Sequence, residues 1–560
     1  MKKIGQFEIK TKIFPTEINI KDLKIGVNSI KNHFVIVDNN YKIENVIDKI
    51  CDHAGGKLIK KGTSAICPMH GWKLNFKTLK YQDSHIEKTS IDFTVSNNIL
   101  KFNDNESYLV NPHKVLNNKN NFKLRWLNHA CTLMSNENLS IVTDPWLKGS
   151  AFLTGWWLDK PSPSDSIELV QNADYIYISH NHPDHLHPET LSLVDKNKKI
   201  IVGNFSSNST EKYLKSLGFK NIYSLEFNEI YEIGEDFQVS VLKSGDFRDD
   251  SGLYLNIGGV ETLLTVDSNF LNSYILPKNI DLLLTSFAGG ASGFPLCYNN
   301  YSLEEKNKIN KRGKLAMRAS VLGYLNSTLP KNYMPYAGMF KEKAKRDSFI
   351  KDNNSKNNTE VYRETVEEKG INYLAPKNNI IYNFINGQFL EKKIIDINYL
   401  PSDKTEDIIA NFKALYKYDS TEIINYLKKS RYIASQIVYI IPTNDGFSEI
   451  VNDIIFCNFK DHKFLIVKKE DIIEELKDFR TMQLYVREEI FAAIVQEKLP
   501  WEDFSIGFQM RVTRFPNEYE SDFWYHFTNI YINSIHYKND SNCGACEVIN
   551  QNPVLNKKYK

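Results

Sequence analysis

Two short stretches of this chain carry the residue types that hold iron and sulfur. Cys51-Asp-His53 is followed, after 13 intervening residues, by Cys67-Pro-Met-His70-Gly-Trp72. Each half offers one thiolate and one imidazole from a single turn. A 2Fe–2S cluster in which one iron takes two thiolates and the other two imidazoles needs this donor set. Neutral imidazoles in place of thiolates reduce the negative charge on the cluster and raise its potential. Such a cluster accepts single electrons readily and passes them to a stronger oxidant. A zinc site uses the same ligand types, but zinc fingers pair Cys with Cys and His with His. Gly55 and Gly56 after the first pair, and Gly71 after the second, let tight loops close over the cluster. Cys51, His53, Cys67 and His70 are therefore expected to ligate a cluster of the Rieske type.

A second constellation ends an apolar run. Tyr175-Ile-Tyr-Ile178 leads into Ser179-His180-Asn-His182-Pro-Asp184-His185. Alternate histidines leaving a strand end converge on one ion, while Asp184 and His185 turn toward a neighbouring position. The pattern resembles the metal loop of the metallo-β-lactamase superfamily. Asp144, in Val142-Thr-Asp-Pro145-Trp146, matches a second strand-end carboxylate of that fold. Asp267, after Leu264-Thr-Val266, fits the carboxylate that bridges two metals there, with an ordinary turn aspartate as the alternative for each. His187 reads as part of a His-rich surface loop. No histidine occurs between His187 and His462, an interval from which dizinc hydrolases of the superfamily draw a further ligand. The corresponding stretch, Ser244-Gly-Asp246-Phe-Arg-Asp249-Asp250, offers carboxylates only. A carboxylate-richer site suits iron, mononuclear or dinuclear, with open positions. Hydrolysis needs no electrons, whereas an iron site that activates O2 does. The two sites on one chain thus point to an oxygenase.

These side chains need several domains to position them. A chain of 560 residues should split into about three. The expected fold is α+β multidomain. Residues 1–105, with short strands such as Phe34-Val-Ile-Val-Asp38, read as an all-β Rieske 2Fe–2S domain, and Asn103 to Asn121 as a linker. Over 122–400, strand-like Ser140–Thr143 and Asp174–Ser179 alternate with helix-like Pro188–Lys196 and Thr210–Leu217. That order predicts a metallo-β-lactamase-like αββα sandwich holding the catalytic metal, with an exposed helix at Lys314–Leu325. Residues 401–540 read as a mainly helical region completing the catalytic domain, with helices at Asp471–Phe479 and Arg487–Lys498 and a strand-like end from Gly507 to Ile532. The 70 Lys and Arg nearly cancel the 68 Asp and Glu, which gives no support to a polyanion-binding surface such as nucleic-acid binding needs; any basic patch must be local. No apolar run of about 18 residues marks a membrane span, and the first residues lack a signal-peptide core. An odd count of seven cysteines argues against a disulfide framework, and the expected location is the cytoplasm. Cys543-Gly-Ala-Cys546 is a lone CxxC with no second pair.

Further segments carry a wider resemblance. Leu127-Asn-His129-Ala-Cys131, Asp144-Pro-Trp146-Leu, Gly155-Trp-Trp157-Leu, Asp174–His185, Ser286-Phe-Ala-Gly-Gly-Ala-Ser-Gly-Phe-Pro295, Tyr336-Ala-Gly338, Ile506-Gly-Phe-Gln-Met-Arg511 and Phe523-Trp-Tyr-His526-Phe resemble the CMP-N-acetylneuraminate hydroxylase family. That family joins a Rieske domain to a metallo-β-lactamase-like domain. The short spacer between Cys51-Asp-His53 and Cys67, and the lack of a histidine near Phe247, depart from it. The resemblance implies hydroxylation of the N-acetyl methyl of CMP-N-acetylneuraminate to the N-glycolyl sugar. It also implies O2, and NADH-derived electrons arriving through a reductase and a cytochrome b5- or ferredoxin-type carrier. Another nucleotide sugar or N-acyl small molecule is the alternative substrate. A metal-dependent hydrolase with a Rieske redox sensor and a pure electron-transfer protein are the alternative classes.

For the substrate, Gly289, Gly290, Ser292 and Gly293 form a small-residue loop whose N–H groups can approach an anion such as a phosphate, or simply a tight turn. Trp156 and Trp157 are candidates to wall a pocket or stack a base, against the plainer reading as core. Arg511 and Arg514 are candidates to pair with a carboxylate or phosphate, against surface salt bridges. His129 and His526 are candidate additional metal ligands or donors, against the reading as satisfied core histidines.

Overall fold

The computed structural model describes residues 1–52, 58–66, 72–82, 87–114, 121–205, 207–245, 248–518, 520 and 523–528. Two eight-stranded sheets face each other at its centre. The first runs in the order Asn221–Leu225, Lys199–Gly203, Tyr175–Tyr177, Ser140–Thr143, Cys131–Ser135, Lys123–Asn128, Ile380–Ile385, Gln388–Lys393. The second runs Lys2–Gln6, Glu229–Gly234, Phe237–Lys243, Ser251–Ile257, Val260–Leu264, Leu282–Thr285, Asn332–Pro335, Asn372–Tyr373. Leu124, Ile141, Tyr175 and Ile201 of the first interleave with Val239, Val241, Leu253 and Leu282 of the second to make the inner core. The strands that supply both faces, such as Phe237–Lys243 and Ser251–Ile257, are buried throughout and apolar along most of their length, as central strands covered on two sides must be.

Helices cover the outer faces. Val170, Leu191 and Leu214, from helices Ser166–Asn172, Pro188–Ser192 and Ser209–Ser216, pack on Val142, Ile176 and Ile200. Val321, Tyr324 and Leu325 of helix Leu303–Thr328 pack with Tyr362 and Val366 on Leu263, Leu283 and Tyr333. The layering is αββα, as the alternation of elements predicts. The long helix is capped by Ser302 and Glu305, each satisfying the other's backbone N–H. It extends well past the expected Lys314–Leu325 and is exposed on one side only.

The described part of the first 114 residues is built of strands in three-stranded sheets, with one short 3-10 turn at Ile20–Asp22. Two departures from the expected boundaries stand out. Strand Lys2–Gln6 joins the edge of the second large sheet by pairing with Glu229–Gly234. The segment expected to be a linker from Asn103 is strand as far as Val110, paired along its length with Glu8–Asn19; alternating partly buried side chains on a ribbon read as polar linker in the sequence.

The C-terminal region is not mainly helical. Helices Thr405–Leu415, Ser420–Lys429, Glu488–Glu497 and Trp501–Ile506 surround a five-stranded sheet in the order Lys463–Val467, Ile454–Asn458, Gln436–Thr443, Arg480–Arg487, Met510–Phe515. The expected helix at Asp471–Phe479 is absent; a 3-10 turn at Lys469–Asp471 precedes an irregular run. Its Ile472, Leu476 and Phe479 have helical spacing but lie over Ile437, Tyr439 and Ile441 of the sheet, so tertiary packing outweighs local propensity. After Met510–Phe515 the expected strand gives way to helix at 523–528. No helix among the described residues is long and apolar enough to cross a membrane.

One core joins this region to the sandwich: Trp146, Phe152, Trp156 and Phe340 pack with Leu484, Phe491, Trp501 and Phe508. Beneath it Arg487 is fully buried, with Nη1 donating to Asp347 Oδ1 at 2.7 Å and to Gln509 Oε1 at 2.6 Å. Arg487→Met would strand the Asp347 carboxylate without its charge partner. Removing one member of a buried pair costs about 3–5 kcal/mol, so the variant's denaturation midpoint should fall accordingly. A loss under about 1 kcal/mol, the range of an exposed pair, would show that the ion pair does not hold the two regions together.

Candidate metal centre

Several strands of the sandwich end at one edge, and their ends carry the polar side chains. Strand Lys123–Asn128 delivers His129, Ser140–Thr143 delivers Asp144, Tyr175–Tyr177 delivers Ser179 to His185, Phe237–Lys243 leads into the turn holding Asp250, and Val260–Leu264 delivers Asp267. His129, Asp144 and Val266 take left-handed backbone angles, with φ of 40°, 37° and 52°. Non-glycine residues accept that conformation where surrounding structure imposes it, as it does at functional sites.

His185 is the hub. Its Nδ1 lies 3.0 Å from Asp144 Oδ2. Its Nε2 points to Asp184 Oδ2 and Asp267 Oδ2, each at 3.5 Å. Asp144 also accepts from the Ser179 N–H and hydroxyl at 2.8 Å, so it is fully engaged in fixing the loop and the His185 ring. Asp184 Oδ2 lies 3.2 Å from His129 Nε2. His180 and His182 face each other, Nε2 to Nδ1, at 2.9 Å, and His180 Nδ1 lies 3.5 Å from Asp250 Oδ1. His182 Nε2 reaches Glu502 Oε1 at 3.3 Å, a carboxylate supplied by the C-terminal region.

Burial sets the electrostatics. It holds the His180 imidazole well below its ordinary value, assisted by the charges of His185 and His182, so His180 is neutral and able to ligate. Burial also opposes charge on His185, but Asp184 and Asp144 outweigh it and push this imidazole well above its usual range. Burial opposes charge on Asp184 too, yet His185 and His129 hold it well below the usual carboxylate range. For His182 the hydrogen bond and charge of Glu502 overcome burial and raise it to about 9. Burial drives Asp503, next to Glu502, well above its ordinary value. The carboxylates around His185 demand positive charge, which a proton or a metal ion supplies.

The donors fit a metal. His129, Asp184 and His185 offer ligand atoms within 4.8 Å of one another, and so do His180, His185 and Asp267. His185 Nε2 and Asp184 Oδ1 are buried and have no hydrogen-bond partner, a cost that a coordinated cation removes. The two groups share His185, so they describe neighbouring positions. His180, His182, Asp184, His185 and Asp267 are thus brought together, although His182 stands in neither group of three. His129, in the sequence no more than a candidate ligand or core histidine, lies at the centre of the site. Glu502 was missed altogether, because nothing in its local sequence marks it.

Other candidates fall elsewhere. His187 is not on a surface loop: it is buried, its Nδ1 accepts from Thr190 N at 3.1 Å and caps helix Pro188–Ser192, and its Nε2 lies 3.1 Å from Ser150 O. His526 is buried with Nε2 2.9 Å from Ser430 O, a core contact. Asp249 turns away to the Ser207 hydroxyl, leaving Asp250 as the described carboxylate of its stretch that faces the histidines. Trp157 is fully buried. Trp156 stacks on Phe340 at 3.5 Å and meets Phe152, whose ring is 5.7 Å from His182. It backs the rings that meet the histidines instead of offering a free face to a base. Gly289 (φ 65°) opens the 3-10 segment Gly290–Cys297, which contains Ser292 and Gly293. A Cβ on Gly293 would strike Asn354 Oδ1 at 2.4 Å, so close packing requires glycine there. Arg514 lies over Tyr298, and Arg511 lies over Phe447 and Phe349.

Of the first constellation, Cys51 is described and fully buried among Phe34, Ile47, Leu74 and Tyr81. Lys88 braces its flanks, with Nζ donating to Asp48 Oδ1, Ile50 O and Asp52 Oδ1 at 2.8, 2.5 and 3.1 Å. His53, Cys67 and His70 lie outside the described residues, as do Gly55, Gly56, Gly71, Asp246, Cys543 and Cys546.

A family model described as "Beta-lactamase superfamily domain" matches residues 123–265. Curated relatives align along nearly the whole chain. The cytidine monophosphate-N-acetylneuraminic acid hydroxylase of Danio rerio is 28% identical, over 91% of this chain and 92% of its own length. That of Xenopus laevis is 28% identical over 91% of each, and that of Asterias rubens 27% identical over 93% and 86%. The resemblance drawn from the motifs is therefore met by proteins of that name over about nine-tenths of the chain. Among solved structures, CmlA, a diiron β-hydroxylase from Streptomyces venezuelae, is 16% identical with a TM-score of 0.33, covering 45% of this chain and 52% of its own, a likeness too loose to carry function.

Proposed function

We propose that this chain, related over nine-tenths of its length to the cytidine monophosphate-N-acetylneuraminic acid hydroxylases, is a monooxygenase acting on a CMP-sialic acid. It converts the N-acetyl methyl of CMP-N-acetylneuraminate into a hydroxymethyl, giving CMP-N-glycolylneuraminate, with O2 as co-substrate. Electrons come from NADH through a reductase and a cytochrome b5- or ferredoxin-type carrier. They enter at a Rieske 2Fe–2S cluster on Cys51, His53, Cys67 and His70, in an N-terminal domain of about residues 1–105. The observation that carries this reading is the pairing of that alignment with a cluster of three histidines and two carboxylates that share His185, all of them buried but Asp267.

Iron at His129, His180, Asp184, His185 and Asp267 would supply the oxidising power that an unactivated methyl C–H bond demands. The chain's own residues do the rest. Asp144 holds the His185 ring through Nδ1, which leaves Nε2 turned toward Asp184 and Asp267, where it would be free to ligate. Glu502 does the same for His182 through Nε2, leaving Nδ1 toward the centre. Phe152 against the His182 ring and Phe340 against the His129 ring, bridged by Trp156, form an apolar wall that keeps water from that side. Residues 122–400 and 401–540 act together, since the latter supply Glu502 and the backing of the wall.

Metal analysis of protein purified without added metal tests the assignment. Iron above two atoms per chain is expected, since the cluster alone takes two. Stoichiometric zinc at the histidine site, with no iron beyond the cluster, would favour a hydrolase instead.

A further inference from the structure

Two cations that share the ring of Phe349 meet no carboxylate among the described residues. Lys306 is buried on helix Leu303–Thr328, and its Nζ has only a long hydrogen bond, 3.5 Å, to Leu296 O. Arg511, on strand Met510–Phe515, donates from Nη1 to two backbone carbonyls, Phe508 O and Met510 O. Both lie against the ring of Phe349, with Lys306 Nζ 5.8 Å and Arg511 Cζ 5.6 Å from its centroid. Neither meets a carboxylate within ion-pairing distance among the described residues. Their neighbours are different in this respect: Arg487 is matched by Asp347, and Arg346 by Asp445 and Glu489. Like charges sharing one apolar ring repel, and burial makes that repulsion more costly.

A third side chain points to the same place independently. Asn310 is one helical turn beyond Lys306 on the same face and is 3% exposed. Both its amide nitrogen and its amide oxygen lack any hydrogen-bond partner. A buried amide with neither group satisfied is rare unless something polar joins it. The 3-10 segment Gly290–Cys297 borders this place, because Lys306 reaches Leu296 O. The route from here to the metal centre is short in the chain: Gly507, just before Phe508, lies against the backbone of Phe152, whose ring contacts His182.

We propose that Lys306, Asn310 and Arg511 form an anion subsite beside the 3-10 segment Gly290–Cys297. It takes the sugar-nucleotide end at which a phosphate and a carboxylate sit on one carbon, as they do in a CMP-sialic acid. Two adjacent cations match two adjacent anions, and Asn310 supplies a donor to an oxygen. The ligand's identity rests on the hydroxylase reading, whereas the anion site stands without it.

Calorimetry on the full chain, with CMP-N-acetylneuraminate and separately with pyrophosphate, tests both. Lys306→Met and Arg511→Met should each weaken binding about tenfold or more, the loss of one charge-assisted contact. Arg511→Lys should recover part of that loss, and Asn310→Asp should weaken binding by adding a like charge. Iron content equal to that of the unaltered protein guards against misfolding. Hydrogen exchange on the unaltered protein needs no variant: bound ligand should protect 303–310 and 508–513. If the sugar nucleotide binds the protein carrying both Lys306→Met and Arg511→Met as tightly as the original, or those segments gain no protection, the subsite is overturned while the hydroxylase reading stands. If pyrophosphate binds through Lys306 and Arg511 but the sugar nucleotide does not bind at all, the subsite stands and the hydroxylase reading falls.

Discussion

Replacing His185 with alanine is expected to abolish hydroxylation and to lower iron affinity by more than about 100-fold, since altering even an outer partner of a metal ligand costs about 10–100-fold. His185 belongs to both ligand groups, so its loss opens both positions at once. It also removes the ring that separates three carboxylates, Asp144, Asp184 and Asp267, which are left facing one another with no cation between them. Asp144→Asn should have a smaller effect, because the amide still reaches Nδ1 but no longer favours the tautomer that presents Nε2. The proposed cluster sits in another domain, and its spectroscopic signal should be unchanged in both variants. Iron retained at full occupancy in His185→Ala would remove His185 from the metal centre. Loss of the cluster signal would instead mean that the two sites are one.

Cys51→Ser should eliminate turnover without eliminating substrate binding. Cys51 sits in its own small core, with Lys88 clamping the residues on either side. The residues proposed to hold substrate are Lys306, Asn310 and Arg511, in the αββα layers and the C-terminal sheet. A serine in place of the thiolate would cost the cluster one of its four ligands and cut the supply of electrons. Affinity for CMP-N-acetylneuraminate, measured by calorimetry, should stay within about a factor of ten, or about 1.4 kcal/mol. Affinity that collapses with the cluster would show that the first domain forms part of the substrate site. Turnover that persists would show that electrons enter elsewhere.

The histidine loop was legible because its ligands leave one strand end within a few residues, so spacing alone brings them together. His129 was harder, since it meets Asp184 across 55 residues and only the sandwich places the two strand ends side by side. Glu502 had no sequence signal: a glutamate in the first turn of a short helix reads as ordinary helix chemistry. The αββα layers followed from alternating strand and helix patterns. The C-terminal sheet did not, and its central strand shows why. Gln436–Thr443 is buried at every position and apolar in most, so it has neither the two-residue period of a half-exposed strand nor the 3.6-residue period of a helix. Helices on both sides of it then drew the whole region toward a helical reading. His187 was misplaced for a simpler reason, that a cluster of histidines after a strand looks exposed until the helix it caps is seen.

The most direct test is to supply the reduced protein with CMP-N-acetylneuraminate under 18O2 and to weigh the product. A monooxygenase of this kind should yield the intact nucleotide sugar heavier by one 18O atom, located in the N-acyl group. Unlabelled product would contradict it, and cleavage of the sugar nucleotide with oxygen drawn from water would assign the His185 centre to hydrolysis.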